Sequence, residues 1–196
     1  MPWVNSGPPL TGLVLVLLSG CASMTSSPEE LQSATETDGI VFGSVLLVAE
    51  QGPANESKWA FLRGRKAEGL NYALSISRAG FNPLKTTYSV PAKPGQEEVF
   101  VKKLPAGSYN MDALQPTGLL APTLTLSLAV HFDVKPRQTS YIGKLVVRFP
   151  DRIGMGSPAD VDILDAQDET IEKLKGEYPS IAPNAVKDLA IDRTFR

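Results

Sequence analysis

The feature of this sequence that most restricts its fold is a strict alternation of apolar and polar side chains over residues 124–134. Leucine, valine or phenylalanine occupies every second position, and threonine, serine, alanine, histidine or aspartate fills the positions between them. Successive side chains of a β-strand point to opposite faces of the sheet, so this pattern predicts a strand with one buried face and one solvent-facing face. Such one-sided strands are typical of antiparallel sheets.

Shorter apolar or alternating runs, separated by Gly, Pro and Asn, indicate further strands. They cover residues 40–50, 59–63, 70–77, 86–90, 98–104, 109–114, 140–149 and 161–164. A short turn at residues 136–138 joins the two longest alternating runs, 124–134 and 140–149, so we expect these two strands to pair as an antiparallel hairpin. Many short strands separated by frequent turns are typical of a β-sandwich.

Only the C-terminal tail has a helical pattern. Residues 168–178 begin with acidic residues and carry apolar residues at helical spacing, with Asp168 as the expected N-cap. Residues 183–190 are a second helix candidate. We therefore predict a mainly β protein, in which residues 39–165 form an antiparallel β-sandwich and residues 166–196 form a short helical tail.

Charge and composition exclude several classes of function. The 196 residues include 19 Lys and Arg against 21 Asp and Glu, with a net charge of -2, so there is no basic surplus for binding nucleic acid. The chain has one His and one Cys. These cannot form a zinc site of the usual Cys/His kind, and one Cys cannot close an internal disulfide. We expect no metal, no cofactor and no nucleic-acid partner.

The only cysteine follows directly on a short apolar segment, residues 12–18. This segment is far shorter than the ~20 residues of a membrane-spanning helix, and its length fits the apolar region of a secretory signal peptide. The segment leads into Leu18, Ser19, Gly20 and Cys21. These four residues resemble the lipobox of bacterial lipoproteins, in which the Cys thiol receives a diacylglycerol. The resemblance implies a signal peptide over residues 1–20 and a mature chain anchored in a bilayer through the acylated Cys21.

The same resemblance implies where the protein is located. Ala22 follows the cysteine, and by the sorting rule of proteobacterial lipoproteins this favours the periplasmic face of the outer membrane over the inner membrane. Residues 22–38 are rich in Ser, Thr and acidic residues and poor in apolar ones, which predicts a flexible tether. We therefore assign residues 21–38 to the lipidated cysteine and its tether. A short helix over residues 28–33 is compatible with this assignment.

Two stretches resemble small bacterial lipoproteins with a transthyretin-like or carboxypeptidase-regulatory-like sandwich. Residues 104–109 match an L-x-x-G-x-Y step, in which we expect Gly107 to permit the turn and Tyr109 to point inward. Residues 132–145 match an F-x-V-x-P-G…Y-I-G-x-L hairpin, with Arg137 in place of the usual Gly. The resemblance implies a transthyretin- or Ig-like sandwich and carries over no catalytic residues.

Two groups of polar residues are interpreted without a catalytic or metal-binding role. The only imidazole, His131, shares its strand face with Ser127 and Asp133. Same-face neighbours two residues apart lie roughly 6–7 Å from each other, which is too far for a catalytic triad. We interpret His131 as a solvent-facing strand residue. The acidic residues of 160–169 lack the order of a calcium-binding loop, and we interpret them as a solvated loop and a helix N-terminus.

The best candidate for contact with a ligand or partner is a basic cluster of Arg63, Arg65 and Lys66 beside Trp59. Because no coherent catalytic set is present, we expect a protein without enzymatic activity. The sequence predicts a structural or protein-interaction module of the cell envelope that docks an envelope protein. One alternative is a sandwich that binds carbohydrate or peptidoglycan through Trp59 and the basic cluster. Another is a hydrolase with a pair of carboxylates.

Overall fold

A computed structural model describes residues 25–50, 65–67, 69–80, 86–117, 125–153 and 157–193. Two helices are formed by these residues, α1 (Pro28–Gln32) and α2 (Gln167–Leu174). The strands in chain order are β1 (Asp38–Glu50), β2 (Arg65–Lys66), β3 (Tyr72–Arg78), β4 (Thr87–Ala92), β5 (Glu97–Pro105), β6 (Gly107–Pro116), β7 (Leu126–Val134), β8 (Thr139–Pro150), β9 (Arg152–Ile153), β10 (Asp160–Leu164), β11 (Ala185–Lys187) and β12 (Ile191–Asp192).

Ten of these strands form two five-stranded sheets. In the first sheet the order is β10-β8-β1-β5, and β11 pairs with β8 on the same side as β10. In the second sheet the order is β12-β7-β6-β3-β4. All pairs of the second sheet are antiparallel, as expected. The expectation is wrong for part of the first sheet, because β1 and β11 both run parallel to β8.

The two sheets pack face to face on one apolar core. Alternate residues of the strands supply it, so that the inner faces of β1, β5 and β8 meet those of β3, β6 and β7. The prediction of a mainly β, sandwich-like protein is therefore confirmed. The sandwich has two open sides. The N-terminal edge is formed by β4 and β5. The C-terminal edge is formed by β7 and β8 together with the short strands that pair with them, β12 on β7 and β10 and β11 on β8.

A second, smaller core covers the outer face of the first sheet. It is made of buried residues from β1, β5 and β8 together with residues of α1, α2 and the segment after α2, namely Leu31, Phe42, Val101, Tyr141, Leu174, Tyr178 and Ile181. This outer layer explains why β8 is buried on both of its faces, a pattern that a two-layer sandwich does not require.

The expected hairpin of β7 and β8 is wrong. A turn is present at residues 136–137, but β7 belongs to the second sheet and β8 to the first, so the turn carries the chain across the sandwich. Arg137 has a φ of 56°, in the left-handed region. Glycine enters that region without steric cost, so the arginine stands at a position where glycine is favoured.

Two glycines allow β1 and β8 to approach closely at an irregularity in their pairing. The register shifts between Phe42 and Ser44, and Gly143 on β8 has a φ of 111°. A Cβ atom on Gly43 would lie only 2.5 Å from the carbonyl oxygen of Gly143. Side chains are therefore excluded at Gly43, where the two strands approach most closely.

The N-terminal segment is packed against the sandwich from residue 25 and does not extend away from it as a free tether. The Ser27 hydroxyl caps α1 by accepting the backbone N–H of Glu30 at 3.1 Å, and Leu31 is buried in the outer layer. The helix that was a compatible alternative is thus the observed structure. A few apolar residues suffice here because the sandwich provides the surface against which they pack.

The C-terminal tail contains one helix and two strands. Helix α2 begins at Gln167, so Asp168 lies inside it, and Ala166 at the N-cap makes no side-chain capping bond. The second expected helix is wrong, because the chain forms a 3-10 turn at Ala182–Asn184 and then β11 and β12. These short strands occupy open strand edges at the C-terminal edge, where backbone groups need hydrogen-bond partners.

Candidate functional site

Most of the residues that sequence reasoning assigned to a site lie outside the described residues. These are Leu18, Ser19, Gly20, Cys21, Trp59 and Arg63. Of the basic cluster, Arg65 and Lys66 form β2, and β2 pairs with β9 so that exposed Lys66 lies opposite exposed Arg152. The fold thus adds Arg152 to this cluster. Sequence reasoning missed it because Arg152 is far from Lys66 along the chain.

His131 is not a solvent-facing residue, which corrects the interpretation from sequence. It is only 9% exposed, because it is flanked by Asn110 on β6 and by Ile191 on β12. Its Nδ1 atom is 2.9 Å from the Asn110 Oδ1 atom, and its Nε2 atom is 3.7 Å from Asp133. Asp133 in turn accepts a hydrogen bond from the Ser108 hydroxyl at 2.5 Å. The carboxylate therefore stands between the serine and the imidazole, whereas nucleophile activation requires the imidazole in the middle.

Two of the acidic residues before α2 form ion pairs with basic side chains. Asp162 pairs with Arg148 on β8, and Asp165 pairs with Lys187 on β11. The Lys187 ammonium lowers the pKa of Asp165. Across the part of the chain that the structure describes, no three His, Cys, Asp or Glu side chains are grouped so that they could hold a metal ion.

Several polar residues surround a pocket at the N-terminal edge. This edge pocket has a volume of about 250 Å³ and lies between β4, β5 and the N-terminal segment. Its lining is Ser26, Glu30, Thr87, Tyr88, Ser89, Lys102 and Lys103. The lining thus includes two lysines, one glutamate and several hydroxyl-bearing residues, and the Lys103 ammonium donates to the Ser33 hydroxyl at 3.1 Å.

Lys102 is the unusual residue of the edge pocket. On β5 it lies between Phe100 and Leu104, both of which belong to the core between the sheets, and it is only 6% exposed. A core-facing strand position normally holds an apolar residue, because an ammonium group loses its hydration there. Burial lowers the pKa of Lys102, and the negative charge of Glu30 acts in the opposite direction.

Sequence reasoning missed Lys102 although a signal was present. In the run from Phe100 to Leu104, Lys102 interrupts the alternation at an apolar position, and Lys103 follows it. A pair of adjacent lysines in a strand places one on each face of the sheet, so one of them must face the core. The sequence does not say which of the two lysines points inward. Tertiary packing decides this, because it sets which side of β5 is turned toward the second sheet.

The N-terminal segment closes the edge pocket through Ser26. The Ser26 N–H donates to the Val101 carbonyl at 2.9 Å, and the Ser26 hydroxyl accepts the Lys103 N–H at 3.1 Å. On the other side, the Tyr178 hydroxyl donates to the Ser26 carbonyl at 3.0 Å. Ser26 is 3% exposed. One residue thus satisfies backbone groups of the β5 edge and joins the two ends of the chain.

A second polar cluster lies under α2. The Glu97 carboxylate binds the Lys144 ammonium at 2.8 Å and the Lys173 ammonium at 2.9 Å, and buried Ser44 is nearby. Burial acts to raise the pKa of Glu97, but Lys144, Lys173 and Ser44 together outweigh it and lower that pKa to about 2. The charged partners of Glu97 are two lysines and not a second carboxylate. Because Lys173 is on α2, the cluster holds this helix on the first sheet.

No protein-family model, curated protein or solved structure matches this chain. Among the described residues, no helix has both the length and the apolar character to cross a membrane.

Proposed function

We propose that this protein is a bacterial envelope lipoprotein, anchored through Cys21 at the periplasmic face of the outer membrane, whose sandwich is a non-catalytic protein-interaction module. The observation that carries the proposal is the position of the only cysteine. It ends a lipobox-like sequence, and Ser26, where the chain joins the β5 edge, follows it by five residues. An anchor and a folded module are thus directly adjacent.

The distribution of exposed apolar side chains supports an interaction role. Among the described residues, the large apolar side chains that are exposed are Leu164, Val186, Leu189 and Ile191. All four come from β10–β12 and the segments next to them, at the C-terminal edge. Exposed apolar side chains grouped at one place mark surfaces that contact other proteins. The N-terminal edge would face the membrane, and the C-terminal edge would remain accessible to an envelope protein.

The proposal includes a transthyretin- or Ig-like sandwich. It is supported by the step between β5 and β6, where Gly107 has a φ of 150° and buried Tyr109 points inward. The Tyr109 hydroxyl donates to the Pro105 carbonyl at 2.8 Å and so ties the new strand to the end of the previous one. This is the geometry expected from the L-x-x-G-x-Y resemblance.

The absence of an enzymatic activity is part of the proposal. It is supported by the order of the groups around Asp133, which gives Ser108 no imidazole as a general base, and by the pairing of Glu97 with two lysines, which keeps that carboxylate ionised. A carboxylate held near a pKa of 2 is a poor proton donor at neutral pH.

The test of the anchor is the mass of the mature chain purified from membranes, together with its partitioning into a detergent phase. We expect an N-terminal acylated and glyceride-modified Cys21 and a detergent-phase protein. The Cys21→Ala variant should lack this mass and enter the aqueous phase, whereas the matched variant Ser23→Ala should behave as the unsubstituted chain. An unmodified Cys21 would contradict the proposal. Co-sedimentation of the Cys21→Ala chain with purified peptidoglycan would instead favour the carbohydrate-binding alternative.

A further inference from the structure

We propose that β10 is the docking strand of the C-terminal edge, and that its partner is an extended protein segment in which basic and apolar residues alternate. This inference rests on the proposed function, because it names the partner chemistry of the surface that the exposed apolar side chains mark. Three observations carry it: the open backbone edge of β10, the alternation of its side chains, and the excess of carboxylates around Arg148.

The backbone of β10 is open on one side. The strand pairs with β8 over its whole length, Asp160–Leu164, and among the described residues no strand pairs with its other side. β11 and β12 are outermost strands as well, but they have three and two residues against five in β10. An outermost strand presents unpaired N–H and C=O groups, and an extended peptide can pair with them as an added strand. At the C-terminal edge, β10 therefore offers the longest backbone to a partner.

The side chains of β10 alternate between the two faces of the sheet. Val161 is buried in the core between the sheets, and Ile163 packs against that core. Asp160, Asp162 and Leu164 therefore lie on the outer face. Residues directly opposite each other in neighbouring strands share a face and interact, with their Cβ atoms about 4.5–5.5 Å apart. A strand added to β10 would thus meet two carboxylates and a leucine on its outer face and apolar side chains on its inner face.

The charges on the outer face favour a basic partner. Arg148 on β8 forms an ion pair with Asp162, and it lies opposite Asp160 in the strand register. Its Nε atom is also 3.7 Å from the Glu50 carboxylate. One guanidinium thus serves three carboxylates, and it reaches β10 from the side of β8 alone. A lysine or arginine in an added strand would supply positive charge from the other side, since opposite charges across neighbouring strands attract.

The apolar residue at the end of β10 continues into a second exposed leucine. A Cβ atom on Gly143 would lie 3.5 Å from the Leu164 carbonyl oxygen and 3.6 Å from the Leu189 Cδ2 atom, so both leucines lie beside this glycine. They are 47% and 37% exposed. An apolar residue at the matching end of the added strand would cover both leucines, which fixes the order of basic and apolar positions in the partner.

The same charges disfavour a second copy of this chain as the partner. Two β10 strands that pair about their common centre would place Asp162 opposite Asp162. Like charges directly opposite each other destabilise a strand pair. The partner is therefore a different chain, in which basic residues occupy the positions that face the aspartates.

The test is the binding of synthetic peptides to the acylated, full-length mature chain in dodecyl maltoside micelles. The probe is a peptide of about seven residues, within the usual length of a strand, in which lysine and valine alternate before a C-terminal leucine. A second peptide has glutamate in place of lysine. Two further lysine peptides carry backbone N-methyl groups on one or the other set of alternate residues, because successive N–H groups of a strand point to opposite edges.

We expect the lysine peptide to bind at least about tenfold more tightly than the glutamate peptide, because two attractive pairs replace two repulsive ones. Hydrogen exchange of the β10 amides should become slower when the lysine peptide is bound. One of the two N-methylated peptides should lose binding, since only one edge of the peptide faces β10. The other should bind as the unmodified peptide does.

Two variants test the charge contribution. Asp160→Asn leaves the ion pair of Asp162 with Arg148 in place, and it should weaken binding of the lysine peptide by up to about fivefold. Glu29→Gln removes one exposed carboxylate from α1 at the N-terminal edge and is the matched control, which should leave binding unchanged. Urea unfolding of both variants checks that each is folded.

The outcomes distinguish the docking strand from the proposed function. Equal binding of the lysine and glutamate peptides, or binding that Asp160→Asn leaves intact, would overturn the basic partner. Binding of both N-methylated peptides, or unchanged exchange in β10, would overturn strand addition. The mass of the same preparation reports acylation of Cys21 independently, so an unacylated chain that still selects the lysine peptide would overturn the anchor and support the docking strand. An acylated chain that binds none of the peptides would overturn the docking strand and leave the anchor intact.

Discussion

The two edges of the sandwich are covered by the two ends of the chain in different ways. At the N-terminal edge, residues 25–33 lie beside β5 and supply separate side-chain and backbone contacts through Ser26, and a polar pocket remains between the strands. At the C-terminal edge, β10, β11 and β12 add paired strands to β8 and β7 and leave apolar side chains exposed.

Both edges solve the same problem, since an uncovered strand edge presents unpaired N–H and C=O groups to other chains. The difference shows that coverage by strands pairs the backbone of β7 and β8 and leaves outward side chains of the added strands exposed for contact with a partner. Coverage by a short helix and one serine leaves space for a small ligand. The protein contact proposed for the C-terminal edge follows from this contrast.

The largest expected effect on stability comes from breaking the contact between the two ends of the chain. Tyr178 is 3% exposed in the outer layer and donates to Ser26, so Tyr178→Ala removes both packing and the link to the N-terminal segment. We expect it to lower the free energy of unfolding by about 3–5 kcal/mol, against about 1 kcal/mol for Tyr178→Phe. Urea unfolding measures both, and hydrogen exchange should rise in residues 25–33. Equal losses for the two variants would show that the tyrosine ring does not hold the N-terminal edge.

The next effect tests the attachment of α2. Glu97→Gln should cost about 2–3 kcal/mol at pH 7, because charged hydrogen bonds to Lys144 and Lys173 are lost. The Glu97 pKa is about 2 in the folded protein, below its usual 4.5, so the native state holds fewer protons. Its stabilisation is thus present above pH 4.5 and is lost as the pH falls toward 2.

The measurement is urea unfolding of the unsubstituted protein and the Glu97→Gln variant between pH 7 and pH 2. The unfolding free energies of the unsubstituted chain and Glu97→Gln should converge as the pH falls. Glu98→Gln is the matched control on the adjacent residue and should follow the unsubstituted chain at every pH. A difference between the two chains that stays constant down to pH 2 would contradict the assigned ion pairs.

A smaller effect, of opposite sign, is expected in the turn of the C-terminal edge. Arg137→Gly should stabilise the protein by up to about 1 kcal/mol, because glycine adopts the positive φ without the cost that an arginine has there. The lost ion pair with Glu36 is exposed and contributes little. Arg137→Ala loses the same ion pair and keeps the strain, so it should not be stabilising. The measurement is thermal unfolding of the unsubstituted chain and the two variants. If Arg137→Ala is also stabilising, the gain comes from removing the arginine side chain and not from relieving the backbone strain.

The smallest effect on stability is expected at the surface of the C-terminal edge. Ile191 is 58% exposed, so Ile191→Ser should change the unfolding free energy by less than about 0.5 kcal/mol. The same variant should reduce the yield of crosslinks that a photoreactive residue at position 186 forms with an envelope protein in membranes. An unchanged crosslink yield would argue against the C-terminal edge as the surface that contacts an envelope protein.

The strands were predictable from sequence wherever local alternation reports a one-sided surface. Residues 126–134 are the clearest case, because each inward residue is apolar and each outward residue is polar or small. The pairing of β8 was not predictable, since its partner β1 lies far away in sequence and a strand buried on both faces has no alternation that identifies its neighbour. The same limit applies to Lys102, whose burial depends on which face of β5 meets the other sheet.

The sequence by itself determined the mainly β composition, the places of most strands and the lipobox-like position of Cys21, because these depend on local periodicity and on adjacent residues. The tertiary structure alone decided that β7 and β8 lie in different sheets, that the tail completes the C-terminal edge, and that residues 25–33 are folded against β5. Those outcomes depend on which strand edges remain open once the core has formed. Unpaired backbone groups at such edges recruit whichever segment of the chain can reach them.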